Sequence, residues 1–279
     1  MKRYKRVMNL LLITLGMIGL AGCDWANQFN DSPSNHIFRE EEAHLTDDAS
    51  SPFCDFSIDH SFLKEENDSI AALINRSIQS EWFGNDYAFL TPEAAVDSFM
   101  HVYIRDYRNE VGPLYLAEKE KVASEEEIPT WYNQTYSLVT FIEEGYSGTI
   151  NASANYYVDT AGAHPHQWSQ WMNFDFVSGK YLTKEEVFLP SAKTDIENIL
   201  LDKLICLQAQ LHPEEKITTL EDLQNLGFLQ FTNMYIQDNF LLGKNEVLFL
   251  FNRYDIAPYA AGEIIIRLSY EEIGPYLKL

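Results

Sequence analysis

The spacing of apolar positions divides this chain into strand-like and helix-like stretches. Phe53, Cys54, Phe56 and Ile58 alternate as in a strand. A helix capped by Asn67 or Asp68 follows to about Gln79, with Ile70, Leu73, Ile74 and Ile78 on one face. Thr91-Pro92 is an N-cap followed by Pro at the first helical position. Behind it Val96, Phe99, Met100, Tyr103 and Tyr107 form a core stripe, with His101 off the stripe on the surface. The charged run Glu118 to Glu127 is a solvated helix end or loop. From Trp131 to Val158 the period becomes that of strands, broken at Glu143-Glu144-Gly145 and Ser147-Gly148.

Ser178-Gly179 marks a tight turn leading to a short paired strand at Tyr181. Thr183 with Glu186, Thr194 with Glu197, and Ser269 with Glu272 have the spacing of capping boxes. The middle one opens a long helix with Ile196, Ile199, Leu200, Leu204, Leu207 and Leu211 on one side, ended by His212-Pro213. Thr219 starts a short helix ending near Gly227. Strands are expected at Phe231–Ile236, Phe240–Leu242, Glu246–Phe251 and Gly262–Leu268. No internal repeat is visible. The alternation lacks a βαβ rhythm, so the fold class is α+β: a mostly antiparallel meander with amphipathic helices packed on it. Two subdomains are expected, 53–147 and 148–279.

The N-terminus changes where this domain is placed. Lys2, Arg3, Lys5 and Arg6 precede an apolar run from Val7 to Leu20, which is short for a membrane span and suits a signal peptide over 1–22. Leu20-Ala21-Gly22-Cys23 resembles the bacterial lipobox, in which the Cys23 thiol is diacylated and becomes the first residue. A lipoprotein of the bacterial cell envelope is therefore expected, attached to the membrane through lipid on Cys23. The polar stretch 23–52 is expected to be a flexible tether reaching about 30 Å on average.

The 279 residues carry 20 Lys+Arg against 42 Asp+Glu, and 46% are hydrophobic, enough for a real core. Loss of the four n-region bases would deepen the net charge from −22 to −26. That acidity excludes nucleic acid as a partner and disfavours an anionic lipid surface, while it would steer a basic protein inward. Outside the cytoplasm Cys54 and Cys206 can pair as a disulfide, the alternative being two buried thiols.

Residues Tyr156 to Phe188 concentrate aromatic, turn and titratable side chains. His164 and His166, with Asp159 or Asp175 nearby, offer two imidazoles for a metal, but Pro165 makes a turn and no third ligand is evident. No cofactor is expected. A Ser-based hydrolase is not supported, because no G-x-S-x-G elbow exists. Trp168, Trp171 and Tyr259 are candidates for an interface or for stacking on a sugar ring, the alternative being core packing, which is favoured for Trp171.

Two stretches together resemble a known domain. One is Ala161-Gly162-Ala163-His164-Pro165 with Asn173-Phe174-Asp175-Phe176 and Ser178-Gly179-Lys180; the other is Tyr254-Asp255-Ile256-Ala257-Pro258-Tyr259-Ala260-Ala261-Gly262. In this order they are similar to the domain of unknown function shared by RsiV-type anti-sigma factor ectodomains and PdaC-type peptidoglycan deacetylases. The resemblance covers about Phe53 to Leu279 and implies an extracytoplasmic α+β domain and, by the RsiV example, capture of lysozyme. Six residues precede the apolar run and the sequence ends at Leu279, so neither a sigma-binding helix nor a deacetylase domain is expected. Ala161 stands where the family's usual motif has its first Gly. The expectation is a non-catalytic module binding a lysozyme-like protein or peptidoglycan through His164, His166, Trp168, Asp159, Tyr254 and Tyr259. A metal-assisted hydrolase at His164/His166 and a scaffold component of an envelope complex are the alternatives.

Overall fold

Five strands and two helices build the first half of the described chain. β1 (Ser34–His44), β2 (Phe53–Leu63), β3 (Gln134–Glu144), β4 (Thr149–Asp159) and β5 (His166–Asp175) form one sheet in sequence order. This is a computed structural model, which describes residues 34–65, 69–122 and 128–278. Only β2 and β3 run parallel, and the other neighbours are antiparallel. A parallel pair needs a crossover. Here it is supplied by α1 (Ser69–Trp82) and α2 (Pro92–Lys119).

The helices cover one face of the sheet. Phe56 and Ile58 of β2, Leu138 of β3 and Ala152 and Ala154 of β4 are sealed there against Ile74 and Ile78 of α1 and Val96 of α2. The stripe on α2 points inward as its spacing predicts, with Val96 and Tyr107 buried and Phe99, Met100 and Tyr103 packed on the same core. Thr91 caps that helix, its hydroxyl accepting the Ala94 N–H.

The second half is built on a three-stranded antiparallel sheet of β6 (Phe240–Leu242), β7 (Glu246–Phe251) and β8 (Ile264–Ser269). Its core side carries Phe249, Phe251, Ile266 and Leu268, packed with Ile196, Leu200 and Leu204 of α4 (Lys193–Leu211). Three short helices complete it: α3 (Lys184–Val187), α5 (Leu220–Asn225) and α6 (Tyr270–Ile273). The class is thus α+β, with a five-stranded and a three-stranded sheet and six α-helices among the described residues.

Several expectations need correction. Ser34–His44 is a strand, not tether, and pairs with β2 along its whole length. It was illegible because it is an edge strand with only Ile37 and Ala43 buried, and its Glu40-Glu41-Glu42 run suits an exposed edge. The proposed boundary at 147/148 falls in the β3–β4 turn, inside one sheet, where Ser147 and Gly148 both adopt positive φ. Phe231–Ile236 forms no strand. Thr194 caps nothing, because a 3-10 turn at Pro190–Ala192 runs directly into α4 at Lys193. The boxes at Thr183/Glu186 and Ser269/Glu272 do form, and Thr219/Asp222 makes one more. Cys54 and Cys206 are both free, Cys54 buried beneath α2 and Cys206 exposed on α4, so no disulfide joins them. Cys23 and Asn67/Asp68 lie outside the described residues.

Candidate functional site

The site grows from a problem at the edge of the five-stranded sheet. β5 is an edge strand, and its outward N–H and C=O groups need partners. Asparagine side chains from the second sheet supply them. Ser169 N–H donates to Asn252 Oδ1 at 2.7 Å, and Trp171 N–H donates to Asn239 Oδ1 at 2.7 Å. Ser169 C=O accepts from both amides, at 2.8 Å from Asn239 and 2.9 Å from Asn252. Asn239 precedes β6 and Asn252 follows β7, so the open end of one hairpin closes over this edge. Further along, Asn173 Nδ2 donates to Phe240 C=O and its Oδ1 accepts Leu242 N–H, while Asn151 Nδ2 donates to Leu242 C=O.

This clasp brings the two sequence motifs together. After Asn252 the chain turns tightly, with Tyr254 at φ +71 and Asp255 accepting the Asn252 N–H at 2.7 Å and a Gln237 amide hydrogen at 3.0 Å. Burial raises the Asp255 pKa against those two hydrogen bonds. The turn presents Tyr254 and Tyr259 to the 159–166 loop. His164 stacks on Tyr259, with centroids 4.0 Å apart and planes 24° from parallel. Its Nε2 lies 3.2 Å from the Tyr254 hydroxyl. Tyr259 donates its hydroxyl to Pro165 C=O at 3.1 Å. On the other side of Tyr259, the Arg253 guanidinium sits 5.3 Å from the ring centroid and 3.6 Å from Glu263.

The loop itself is held by Asp159, whose Oδ1 accepts the Ala161 N–H at 2.8 Å. Ala161 adopts φ +57. That left-handed conformation is the one for which glycine is preferred, so the Ala is strained here.

The predicted residues do not all converge. His164, Tyr254 and Tyr259 form one cluster, with Asp159 bracing its loop. His166, the first residue of β5, is exposed with its ring 6.2 Å from His164. Trp168 lies elsewhere: it stacks on Tyr156 across the β4–β5 pair at 4.4 Å and 6°. Cys54 and Cys206 are remote from the cluster, in the core of the first sheet and on α4. Sequence reasoning missed Arg253, Glu263, Asn239 and Asn252. The signal available for the asparagines was only their position at the two ends of the β6–β7 hairpin.

The arrangement presents ring faces, two phenol hydroxyls and an imidazole. Ser169 Oγ lies 2.8 Å from Asn155 Oδ1 and 3.1 Å from Glu263 Oε1, facing an amide and a carboxylate rather than an imidazole. The Thr140–His60 contact at 3.2 Å pairs a hydroxyl with an imidazole, but both residues are sealed in the core. Among the described residues no three His, Cys, Asp or Glu side chains are grouped to hold a metal ion, so His164 and His166 are without a third ligand.

Residues 185–271 match the model of the DUF3298 family, described as a protein of unknown function. The matched span runs from α3 into α6 and includes the Tyr254–Gly262 motif, whereas the His164 loop precedes it. Two solved structures share the architecture. A DUF3298 family member from Bacteroides fragilis NCTC 9343 is 25% identical with a TM-score of 0.79, over 88% of this chain and 93% of that one. A DUF3298 family protein from Pseudomonas aeruginosa PAO1 is 16% identical with a TM-score of 0.54, over 88% and 94%, a likeness of fold alone. No curated protein gives a match.

Proposed function

We propose that this chain is a bacterial cell-envelope lipoprotein whose domain binds a macromolecule without chemical turnover, that macromolecule being a lysozyme-like protein or peptidoglycan. The observation that carries the reading is the His164–Tyr254–Tyr259 cluster. Three rings with hydrogen-bonding edges are mounted at the surface on two loops that brace each other. Tyrosine and histidine faces stack on sugar rings or on planar side chains while their hydroxyl and ring nitrogens fix orientation. Rings already locked by mutual contacts lose little entropy on binding. The net charge of −22 favours encounter with a basic protein. The resemblance to RsiV-type ectodomains supports lysozyme as that protein, and the resemblance to PdaC-type enzymes supports the cell wall. Attachment through a lipid on Cys23 places the domain in the envelope.

The test is titration of the immobilised chain with lysozyme and, separately, with soluble muropeptides in physiological salt. Saturable binding of one ligand is expected, weakened at least tenfold by Tyr259→Ala with unchanged thermal stability. No saturable binding of either ligand removes both from consideration. Binding that Tyr259→Ala leaves intact moves the site away from this cluster.

A further inference from the structure

The two most exposed large apolar side chains among the described residues, Val177 and Phe89, are not at the His164 cluster. They lie on the outer side of α1. Val177 is 83% exposed and Phe89 79%, with Leu73 at 42% and Leu90 at 40%. These positions come from three separate segments that meet along α1. The turn that carries Val177 packs on the helix so closely that a Cβ on Gly179 would sit 3.3 Å from Leu73 Cβ. One helical turn further along, the Arg76 guanidinium lies 4.4 Å from the Phe89 ring centroid. Single exposed apolar residues are ordinary, but a run of them at loop tips on both flanks of a helix is the signature of a surface with a partner.

Two observations identify the partner. First, the chain enters the domain at this end. Ser34, the first residue of β1, pairs with Leu63, and the Leu63 backbone is held by Asn75 of α1 through hydrogen bonds of 2.8 and 2.9 Å. Asn75 is buried on the inner side of α1, one residue before the exposed Arg76. Second, only residues 24–33 separate Cys23 from Ser34. However they are arranged, ten residues span at most about 36 Å. A lipid on Cys23 therefore keeps the start of β1, and the end of β2 from which the chain runs into α1, within a few tens of ångströms of the bilayer. At that tether length the effective concentration of membrane surface is on the order of millimolar or higher.

We infer that the ridge of Leu73, Phe89, Leu90 and Val177 is a membrane-docking face that lays the domain on the bilayer whose lipid anchors it. The inference rests on the lipid attachment at Cys23, and is independent of what the His164 cluster binds. Phe and Val tips enter the headgroup boundary while Arg76 stays level with the phosphates, the division of labour seen in interfacial anchors. The acidity of the chain makes neutral headgroups the favoured surface, since anionic lipid would repel it. The contact sets orientation, because the acyl chains already hold the protein to the membrane.

The experiment uses the full-length chain purified from host membranes and reconstituted in phosphatidylethanolamine/phosphatidylcholine vesicles. A bimane label is placed at Val177→Cys in a Cys206→Ser background, with Glu214→Cys as the control position. Bromination of the acyl chains should quench the label at 177 by at least half and leave the label at 214 unchanged. A chain that floats with the vesicles but shows no difference between the two positions overturns the docking face and leaves the anchor standing. A chain that neither floats nor carries acyl groups on Cys23 by mass overturns both. Protection of the label at 177 without vesicles, rising with protein concentration, assigns the ridge to a second copy instead. Phe89→Ser with Val177→Ser provides the companion measurement: flotation retained, and quenching at a label on Leu90→Cys reduced several-fold.

Discussion

The Asn252 side chain closes on the Ser169 peptide groups from both directions, accepting the N–H at 2.7 Å and donating to the C=O at 2.9 Å. The two residues are 83 positions apart. This one amide ends the five-stranded sheet, joins it to the β6–β7 hairpin and starts the turn that carries Tyr254. Asn252→Ala should therefore destabilise the domain by about 1–3 kcal/mol, the penalty for leaving the Ser169 N–H unpaired while Asn239 still serves the C=O. Urea denaturation measures this, and amide exchange at Ser169 should quicken. Asn252→Asp keeps the acceptor but turns the donor into a carboxylate oxygen facing the Ser169 carbonyl beside Asp255, so its loss should be at least as large.

Gly145 is required by close approach rather than by its backbone angle. A Cβ there would lie 2.4 Å from Thr149 Oγ1 and 2.5 Å from both Asn151 Oδ1 and Leu242 C=O. Gly145→Ala should cost about 1–3 kcal/mol through overpacking at the junction of the two sheets. Gly112 in α2 has nothing within 4 Å of its Cβ position. Gly112→Ala should stabilise by about 0.5–1 kcal/mol. Opposite shifts in the urea midpoint are the expected result.

At Ala161 the strain is conformational. With φ +57 and its N–H held by Asp159, the residue cannot relax without opening the loop under His164. Ala161→Gly should raise stability by about 0.5–1 kcal/mol, read as a higher melting temperature. An unchanged or lower value would mean that the loop is not held in that conformation in solution.

His60 makes the domain sensitive to acid. It is fully buried among Phe62, Trp82 and Phe83, with Nε2 lacking a hydrogen-bond partner among the described residues. Burial lowers its pKa from 6.5 to about 4. The folded state therefore resists protonation that the unfolded chain accepts. Its contribution is fully present above pH 6.5 and is lost as pH falls toward 4, amounting to roughly 3 kcal/mol over that window. His60→Phe should flatten the stability profile between pH 6.5 and 4.5 relative to the parent, other groups being common to both.

The two described cysteines should differ sharply toward a thiol reagent. Burial pushes the Cys54 thiol up to about 12, whereas Cys206 is exposed on α4. One thiol per chain of this pair should react rapidly in native buffer and the second only on unfolding. Zero rapid labelling at Cys206 would instead indicate a linkage formed after folding.

The local grammar of this fold was legible. The Thr91 cap and the α2 stripe, the Ser178-Gly179 turn, two capping boxes, the Pro213 stop and strands β6 to β8 all follow from interactions within a few residues, which spacing records. The tertiary structure alone decided three things. β1 is a strand because β2 offers it an edge, although its own sequence buries only two side chains. Cys54 and Cys206 stay apart because Cys54 is sealed in the core of the first sheet while Cys206 is exposed on α4. And the His164 cluster exists because Asn239 and Asn252 satisfy an exposed strand edge some 70 to 83 residues away. Two asparagines at hairpin ends look like ordinary turn residues in a sequence. Their meaning depends on unpaired peptide groups that no periodicity encodes, since a strand has an edge only once the whole sheet has formed.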